Sequence, residues 1–344
     1  MIRPPELIVT LPMELQNGVF ATTTTVWETL VAAHNGDLNG LKILVNRCPE
    51  LARCQYNYTP PLHFAVRENH LAVARFLLEH GAHDPSYGSY PFHDSFLTMA
   101  KDRDYQEMEV LLNEQDAALA LKNSPSADGG PGGVGHISYD RDEEALLFQE
   151  LVDRNAIPEV EALLHKSPDL ALNELAFWGE GLLSMPGHDR AHDLIDLLLR
   201  YGACFPDVSK WGREYYFKHA DTAAFILNRG MNPNHSTWQG VTLLHDMAQA
   251  GDLTKARLLL DHGAAINPID EEYRSTPLGL AARWGRTEMV AFLLKQGAAP
   301  DRSGAPWATP LAWARKKGHA AVEALLRDAG ATDTGDSPSP RSPV

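Results

Sequence analysis

The segment from His188 to Asp193 holds two histidines and two aspartates. Histidines four residues apart share one face of a helix and could approach a metal ion, and a metal-dependent enzyme would follow from His188, Asp189 and His192 acting together. A first-row metal centre needs three or more converging ligands. Beside the two histidines, we identify no third residue that would converge on the same point. A solvated turn whose aspartates cap the next helix accounts for the same residues, so we predict no metal site.

Two further features could carry chemistry, the glycine-rich run 129–135 and the cysteine Cys204. A phosphate-binding loop requires a following Gly-Lys-Ser/Thr between a strand and a helix, and this run lacks both the motif and that context. A cysteine nucleophile needs a histidine and an acid brought to it, and no local signature of that kind surrounds Cys204. We therefore predict no catalytic residue, no cofactor and no enzyme activity.

Composition narrows the classes of partner. The formal charge of −15 argues against a general nucleic-acid or anionic-membrane binder, because phosphate binding relies on clustered Lys and Arg. An odd set of cysteines, Cys48, Cys54 and Cys204, indicates reduced thiols in a cytoplasm, with a Cys48–Cys54 disulfide as the less favoured alternative. Neither an export signal nor an apolar run that could cross a bilayer is recognisable, so we expect a cytoplasmic protein without a membrane partner.

One pattern recurs three times towards the C-terminal end with a spacing of about 33 residues. Each copy opens with a threonine and continues through a glycine, a leucine doublet in an apolar stripe and a second glycine. The landmarks are Thr242, Gly251, Leu259-Leu260 and Gly263; Thr276, Gly285, Leu293-Leu294 and Gly297; and Thr309, Gly318, Leu325-Leu326 and Gly330. Landmarks that keep one frame indicate internal repeats of two short helices each.

The threonines, prolines and glycines of these copies explain where the helices begin and end. Threonine at the N-cap accepts a bond from a free backbone N–H, and proline at the first helical position gives up only a donor that has no partner. Gly285 and Gly297 stand where helices end and φ is often positive. A single helix pair cannot bury its apolar face, so neighbouring pairs must stack into one continuous core.

These motifs resemble the ankyrin repeat, whose hallmark is Thr-Pro-Leu-His with a leucine-rich second helix and a Gly-Ala ending. Thr59-Pro-Pro-Leu-His63 and Phe76-Leu-Leu-Glu-His-Gly-Ala82 match it closely, although the second proline implies a one-residue insertion. The resemblance implies an all-α ankyrin-repeat solenoid of helix-turn-helix units joined by short β-hairpins. In that family the histidine of the hallmark braces the turn, so it implies structural roles for His63 and His245.

Less regular units complete the expected array. They span Trp27 to Pro49, Ser95 to Glu114, Ala145 to Pro168, Leu182 to Ala203 and Tyr215 to Met231. We predict an N-terminal extension at 1–24, about three repeats at 25–122, a Gly/Pro/Ser-rich linker at 123–140, about six repeats at 141–333 and a disordered tail at 334–344. Repeats with atypical ends favour a monomer.

Ankyrin repeats usually bind partner proteins through the tips of their hairpins and through the two exposed residues just before the glycine that ends the first helix. The resemblance therefore implies the partner-binding residues Tyr56, Arg67, Glu68, Trp238, Gln239, Gln249, Glu272, Tyr273, Arg283, Trp284, Lys316 and Lys317. Trp, Tyr and Arg are enriched at interface hot spots, which favours Trp238, Tyr273, Arg283 and Trp284 among them. Packing between units is the alternative for Trp238 and Trp284.

The segment 275–318 has the opposite charge to the whole chain, with seven Lys and Arg against two Asp and Glu. Arg283, Arg286, Arg315, Lys316 and Lys317 could gather on one face and bind an anionic ligand or nucleic acid. A solvated face explains the same charges. The function predicted from the sequence is a scaffold or regulatory adaptor for another protein, with anion or nucleic-acid binding as the alternative.

Overall fold

Paired helices make up most of the structure, a computed structural model that describes residues 1–89, 92–121, 136–139 and 142–333. The chain divides into an N-terminal unit, Glu6–Asp140, and a C-terminal unit, Met1–Pro5 with Arg141–Val344. Most of the predicted linker at 123–140 and all of the predicted tail at 334–344 lie outside the described residues. Within those described ranges no helix combines the length and apolar character needed to cross a membrane.

The N-terminal unit combines helix pairs with one small sheet. Its elements begin with α1 (Pro5–Ile8), β1 (Pro12–Glu14), the 3-10 helix Gln16–Gly18, β2 (Phe20–Thr22), α2 (Thr23–Asn35), α3 (Leu38–Arg47) and the 3-10 helix Pro49–Arg53. They continue with α4 (Pro61–Arg67), α5 (Leu71–Glu79), α6 (Phe96–Asp102), α7 (Gln106–Leu121) and β3 (His136–Ile137).

Strand β1 pairs antiparallel with both β2 and β3, giving the order β2-β1-β3. Neither the hairpin within 1–24 nor a strand within 123–140 was predicted from the sequence. Strands of two or three residues are too short to show the alternating pattern by which a strand is recognised.

The C-terminal unit consists of helices. Its first elements are α8 (Glu143–Asp153), α9 (Ile157–Lys166), the 3-10 helix Pro168–Leu172, α10 (Ala176–Gly179), α11 (Ser184–His188), α12 (His192–Arg200), α13 (Gly212–Tyr216) and α14 (Ala220–Leu227). The regular repeats follow as α15 (Leu243–Ala250), α16 (Leu253–Asp261), α17 (Pro277–Arg283), α18 (Thr287–Lys295), the 3-10 helix Pro306–Ala308, α19 (Pro310–Lys316) and α20 (Ala320–Asp328).

The repeated threonines begin the first helix of each regular unit, as the sequence predicts. Thr276 and Thr309 accept backbone N–H bonds from Gly279 at 3.2 Å and Ala312 at 3.1 Å. At the other end, Gly251 has a φ of 79°, the left-handed conformation that glycine reaches without steric strain. Local residue chemistry therefore fixes both boundaries of the first helix.

Stacking of neighbouring units creates the core. Helix α15 packs against α17, and α17 packs against α19, while α18 packs against α20. Leu259, Leu293 and Leu326, one from each leucine doublet, are fully buried. Burial of a leucine side chain contributes about 2 kcal/mol, so the repeated doublets supply a large share of the stability between units.

His245 connects one unit to the next. The backbone N–H of Thr242 donates to its Nδ1 at 3.1 Å, and its Nε2–H donates to the carbonyl of Ser275 at 3.1 Å. The ring is completely buried, and that desolvation lowers the pKa of His245 to about 4. The predicted structural role of this histidine is confirmed. His63, also buried, lies 2.8 Å from the hydroxyl of Tyr87.

Replacing Thr309 with alanine should lower the free energy of unfolding by about 1 kcal/mol, because the N–H of Ala312 loses its acceptor. Urea denaturation followed by circular dichroism measures the change. Thr309→Ser is the matched control, since it keeps the hydroxyl and should restore most of the stability. Equal destabilisation by serine and alanine would assign the effect to methyl packing instead.

The pKa of His245 predicts a pH dependence of stability. A buried neutral histidine with a folded pKa of about 4, against 6.5 in the unfolded chain, stabilises the fold above pH 6.5. Because the unfolded chain binds the proton first, this contribution falls by at most about 1.4 kcal/mol per pH unit as the pH drops through that window. His245→Gln should therefore flatten the plot of unfolding free energy against pH.

The neighbouring Asp246 has the opposite influence, since burial raises its pKa to about 7 and favours the folded state at lower pH. The comparison must therefore be made between variants over the same pH series. Thr309→Ala is the reference, because it should lower stability equally at every pH and leave the slope unchanged. An unaltered slope in His245→Gln would contradict the assignment.

Candidate partner-binding surface

The first helices of the regular repeats place their last residues in neighbouring positions. We name Gln249, Trp284, Lys316 and Lys317 the helix-end row; they stand at the ends of α15, α17 and α19. Lys316 is exposed, and the other three are half-buried. Glu68 has the corresponding position at the end of α4 in the N-terminal unit and is also half-buried. These five are the predicted partner-binding residues that remain accessible.

The other predicted contacts are buried, which corrects the expectation that they are exposed. They are Tyr56, Arg67, Trp238, Gln239, Glu272, Tyr273 and Arg283, each at most 8% exposed. In this conformation they offer a partner very little accessible surface. Their burial favours the packing alternative for Trp238, whose carbonyl accepts the N–H of Ile2 at 2.8 Å.

Arg283 lies within a set of aromatic rings. Its guanidinium is 4.6 Å from the ring centroid of Tyr273, 4.2 Å from that of Trp284 and 5.1 Å from that of Trp313. The indole N–H of Trp313 donates to Ser275 at 2.7 Å, which anchors this ring in the interior. We call these four side chains the aromatic cluster. A guanidinium over several ring faces is stabilised by their quadrupoles and, when desolvated, contributes about 2 kcal/mol.

The basic segment 275–318 is largely engaged by the chain itself. Arg286 donates to the carbonyl of Gln249 at 2.7 Å. Arg315 pairs with Glu323 at 2.9 Å and also with Asp333, and Lys317 lies 5.8 Å from the ring centroid of Trp313. With Arg283 in the aromatic cluster, these contacts reduce the charge that a patch could offer to a phosphate.

The histidines that suggested a metal site belong to different helices. His188 ends α11 and His192 begins α12, so the shared helix face does not form. His188 bonds to Asp189 at 2.6 Å and to Lys218 at 2.6 Å, whereas His192 stacks on Phe225. Across residues 1–89, 92–121, 136–139 and 142–333, no group of three or more His, Cys, Asp or Glu could hold a metal ion.

Of the remaining features singled out for chemistry, the structure describes the cysteines but not the glycine-rich run. The glycine-rich run 129–135 falls outside the described residues. The three cysteines are free thiols, of which Cys204 is exposed and Cys54 is buried. Burial raises the pKa of Cys54 far above its usual value, which keeps that thiol protonated and a poor nucleophile.

Among the exposed aromatic residues that were not predicted from the sequence, Tyr58 and Trp178 are 40% and 52% exposed. Each is the second of two consecutive residues with positive φ, after Asn57 and Phe177 respectively. The position of Tyr58 just before the hallmark Thr59 was a usable signal for a hairpin tip. No such landmark follows Trp178, since its unit lacks the Thr-Pro-Leu motif.

Arg283→Gln should lower the free energy of unfolding by about 2 kcal/mol, because the cation is lost from the aromatic cluster. Arg283→Lys should give an intermediate loss, since it retains the charge without the planar guanidinium. Lys295→Gln, an exposed change on α18, is the control and should leave stability near the wild-type value. Urea denaturation measures all three, and a wild-type midpoint for Arg283→Gln would refute the packing role.

Comparisons with known proteins show local similarity. The chain is 40% identical over 72 residues to human ankyrin repeat domain-containing protein 63, covering 21% of this chain and 19% of that protein. It is 35% identical over 81 residues to mouse protein fem-1 homolog A-like, which is 24% of this chain and 12% of that protein. Human ARF GTPase-activating protein GIT1 is 36% identical over 76 residues, covering 22% of this chain and 10% of that protein.

The chain therefore spans about a fifth or less of the length of these relatives. The profile described as ankyrin repeats (3 copies) matches residues 27–119 and 214–304, more than half of the chain. Together with the stacked helix pairs, the capping threonines and the bracing histidine, this match shows that the chain belongs to the ankyrin-repeat family.

Proposed function

We propose that this protein is a non-catalytic scaffold or regulatory adaptor that binds another protein through the helix-end row. Ankyrin repeats are protein–protein interaction modules, which supports a binding role. The observation that carries the proposal is the accessibility of Gln249, Trp284, Lys316 and Lys317 next to a rigid interior. The free thiols support a cytoplasmic location, and a monomer is the proposed state of the unbound chain.

The chemistry of the helix-end row suits an acidic segment with an apolar side chain. Trp284 offers a large ring with part of its surface accessible, and the lysines beside it supply positive charge. Aromatic residues at interfaces bury a large area, while charged residues at the rim favour complementary partners and exclude like-charged ones. Lys316 and Lys317 place two positive charges in this row, within a chain of net charge −15.

The buried aromatic cluster supports the same surface from below. Arg283 lies 4.2 Å from the ring centroid of Trp284, and Tyr273 meets that ring edge to face at 5.5 Å. Side chains already held in one conformation lose less entropy when a partner binds. Tyr273 and Arg283 thus support Trp284 from the interior.

The experiment is affinity capture from lysate with nuclease present, followed by identification of bound proteins. The double variant Lys316→Glu, Lys317→Glu should capture at least tenfold less of a partner protein than the wild type, because the charge of the helix-end row is reversed. Lys295→Glu with Arg302→Glu is the matched control, since both residues are exposed and lie outside that row. This control should retain the partner.

Equal capture by both double variants would refute the helix-end row as the binding surface. Nucleic acid that is captured when the nuclease is omitted, and that is released by moderate salt, would instead support the anionic-ligand alternative. Circular dichroism of each variant confirms that the fold is retained, so that loss of binding is not loss of structure.

A further inference from the structure

An accessible cleft lies in a part of the C-terminal unit that the ankyrin profile leaves unmatched. Its volume is about 300 Å³. The lining residues come from α8 and from the segment around α10 and α11: Leu146, Gln149, Glu150, Asp153, Phe177, Trp178 and Met185. They are distinct from the helix-end row, so the two surfaces can be tested separately.

The backbone at this cleft is unusual. Phe177 has φ 48° and ψ 53°, and Trp178 has φ 60° and ψ 35°, so two consecutive aromatic residues adopt the left-handed conformation. Turns that need positive φ at both positions favour Asn and Gly, because bulky side chains are strained there. Phe177 is buried, whereas Trp178 is 52% exposed.

A buried carboxylate holds the strained segment in place. Glu180 is completely buried and accepts the backbone N–H groups of Lys210 at 3.0 Å and Trp211 at 3.2 Å. The hydroxyl of Tyr216 donates to the carbonyl of Glu180 at 2.8 Å, and Nζ of Lys210 donates to the carbonyl of Trp178. These bonds tie the backbone at Trp178 and Glu180 to the segment 210–216.

The lining of the cleft is apolar and acidic. Leu146, 52% exposed, and Met185 provide the apolar part, and Glu150 and Asp153 add two carboxylates with no Lys or Arg among the lining residues. Glu150 forms an exposed pair with Arg154 at 3.2 Å, which leaves its charge only partly compensated. The face of an accessible tryptophan attracts cations, and nearby carboxylates strengthen that preference.

The size of the cleft limits its occupant. Pockets for drug-sized ligands and cofactors begin near about 300 Å³ and extend to about 1,000 Å³, so this cleft suits one or two side chains of a peptide better than a nucleotide. We propose that it binds a segment of a partner protein in which Arg or Lys stands beside a large apolar residue. The cation packs against Trp178 and pairs with Glu150 and Asp153, and the apolar side chain contacts Leu146 and Met185.

The test uses the full chain and fluorescent peptides of one length that differ only in a central pair, Arg-Leu, Lys-Leu, Glu-Leu or Arg-Ser. Fluorescence anisotropy gives each dissociation constant. The Arg-Leu and Lys-Leu peptides should bind at least tenfold more tightly than the Glu-Leu and Arg-Ser peptides. Equal affinities across the four would overturn the proposal.

Trp178→Gly is the decisive variant, because glycine adopts positive φ without strain while removing the ring. It should keep or raise the thermal unfolding midpoint and weaken Arg-Leu binding at least tenfold. Asp153→Lys should weaken binding similarly, whereas Glu159→Lys, the same charge change at an exposed site on α9, should not.

Retained affinity in Trp178→Gly, or equal losses in the two lysine variants, would overturn the assignment of the cleft. The double variant Lys316→Glu, Lys317→Glu should bind the Arg-Leu peptide normally. Failure of the helix-end row as a protein-binding surface therefore leaves this result intact, and the reverse also holds.

Discussion

The structure depends on the burial that each helix pair obtains from its neighbours. A pair such as α17 and α18 has an apolar face that it cannot cover alone, and contact with the pairs before and after it removes Leu293 from water. His245 reinforces this stacking because one ring joins the first turn of α15 to the carbonyl of Ser275 in the next unit. Interactions between neighbours thus determine both the fold and the surfaces that remain.

The same constraint explains why side chains at the hairpin tips differ from those at the helix ends. Tyr273 and Arg283 lie in the aromatic cluster with Trp313, which comes from the following unit, so they fill the junction between repeats. Residues at the ends of α15 and α19 project beyond this junction and keep part of their surface accessible. Adjacent residues therefore have different roles: Arg283 packs in the interior, and Trp284 keeps part of its surface accessible.

Nearest-neighbour stacking also tolerates units that depart from the repeat. Between the two stretches matched by the family profile, the chain retains helix pairs, including α11 with α12, but α10 is only four residues long and is interrupted by left-handed residues. The buried carboxylate of Glu180 accepts the backbone N–H groups of Lys210 and Trp211, which ties this irregular segment to the residues just before α13. A local irregularity can therefore create a separate cleft without disturbing the regular repeats.

The sequence by itself determined the repeat and the boundaries of the first helices in the regular units, and its resemblance to the ankyrin repeat implied the structural role of His245. These features are helix caps such as Thr309, helix ends such as Gly251 and the leucine doublets. They act on residues nearby in the chain or one repeat away, so their regular spacing can be recognised in the sequence. Exposure is different, because it depends on what covers a side chain in space. Only the tertiary structure decided that Trp238, Tyr273 and Arg283 are buried, that His188 and His192 belong to separate helices and that Trp178 points outward. Each of these depends on backbone direction and on packing between distant residues, neither of which has a periodic signature.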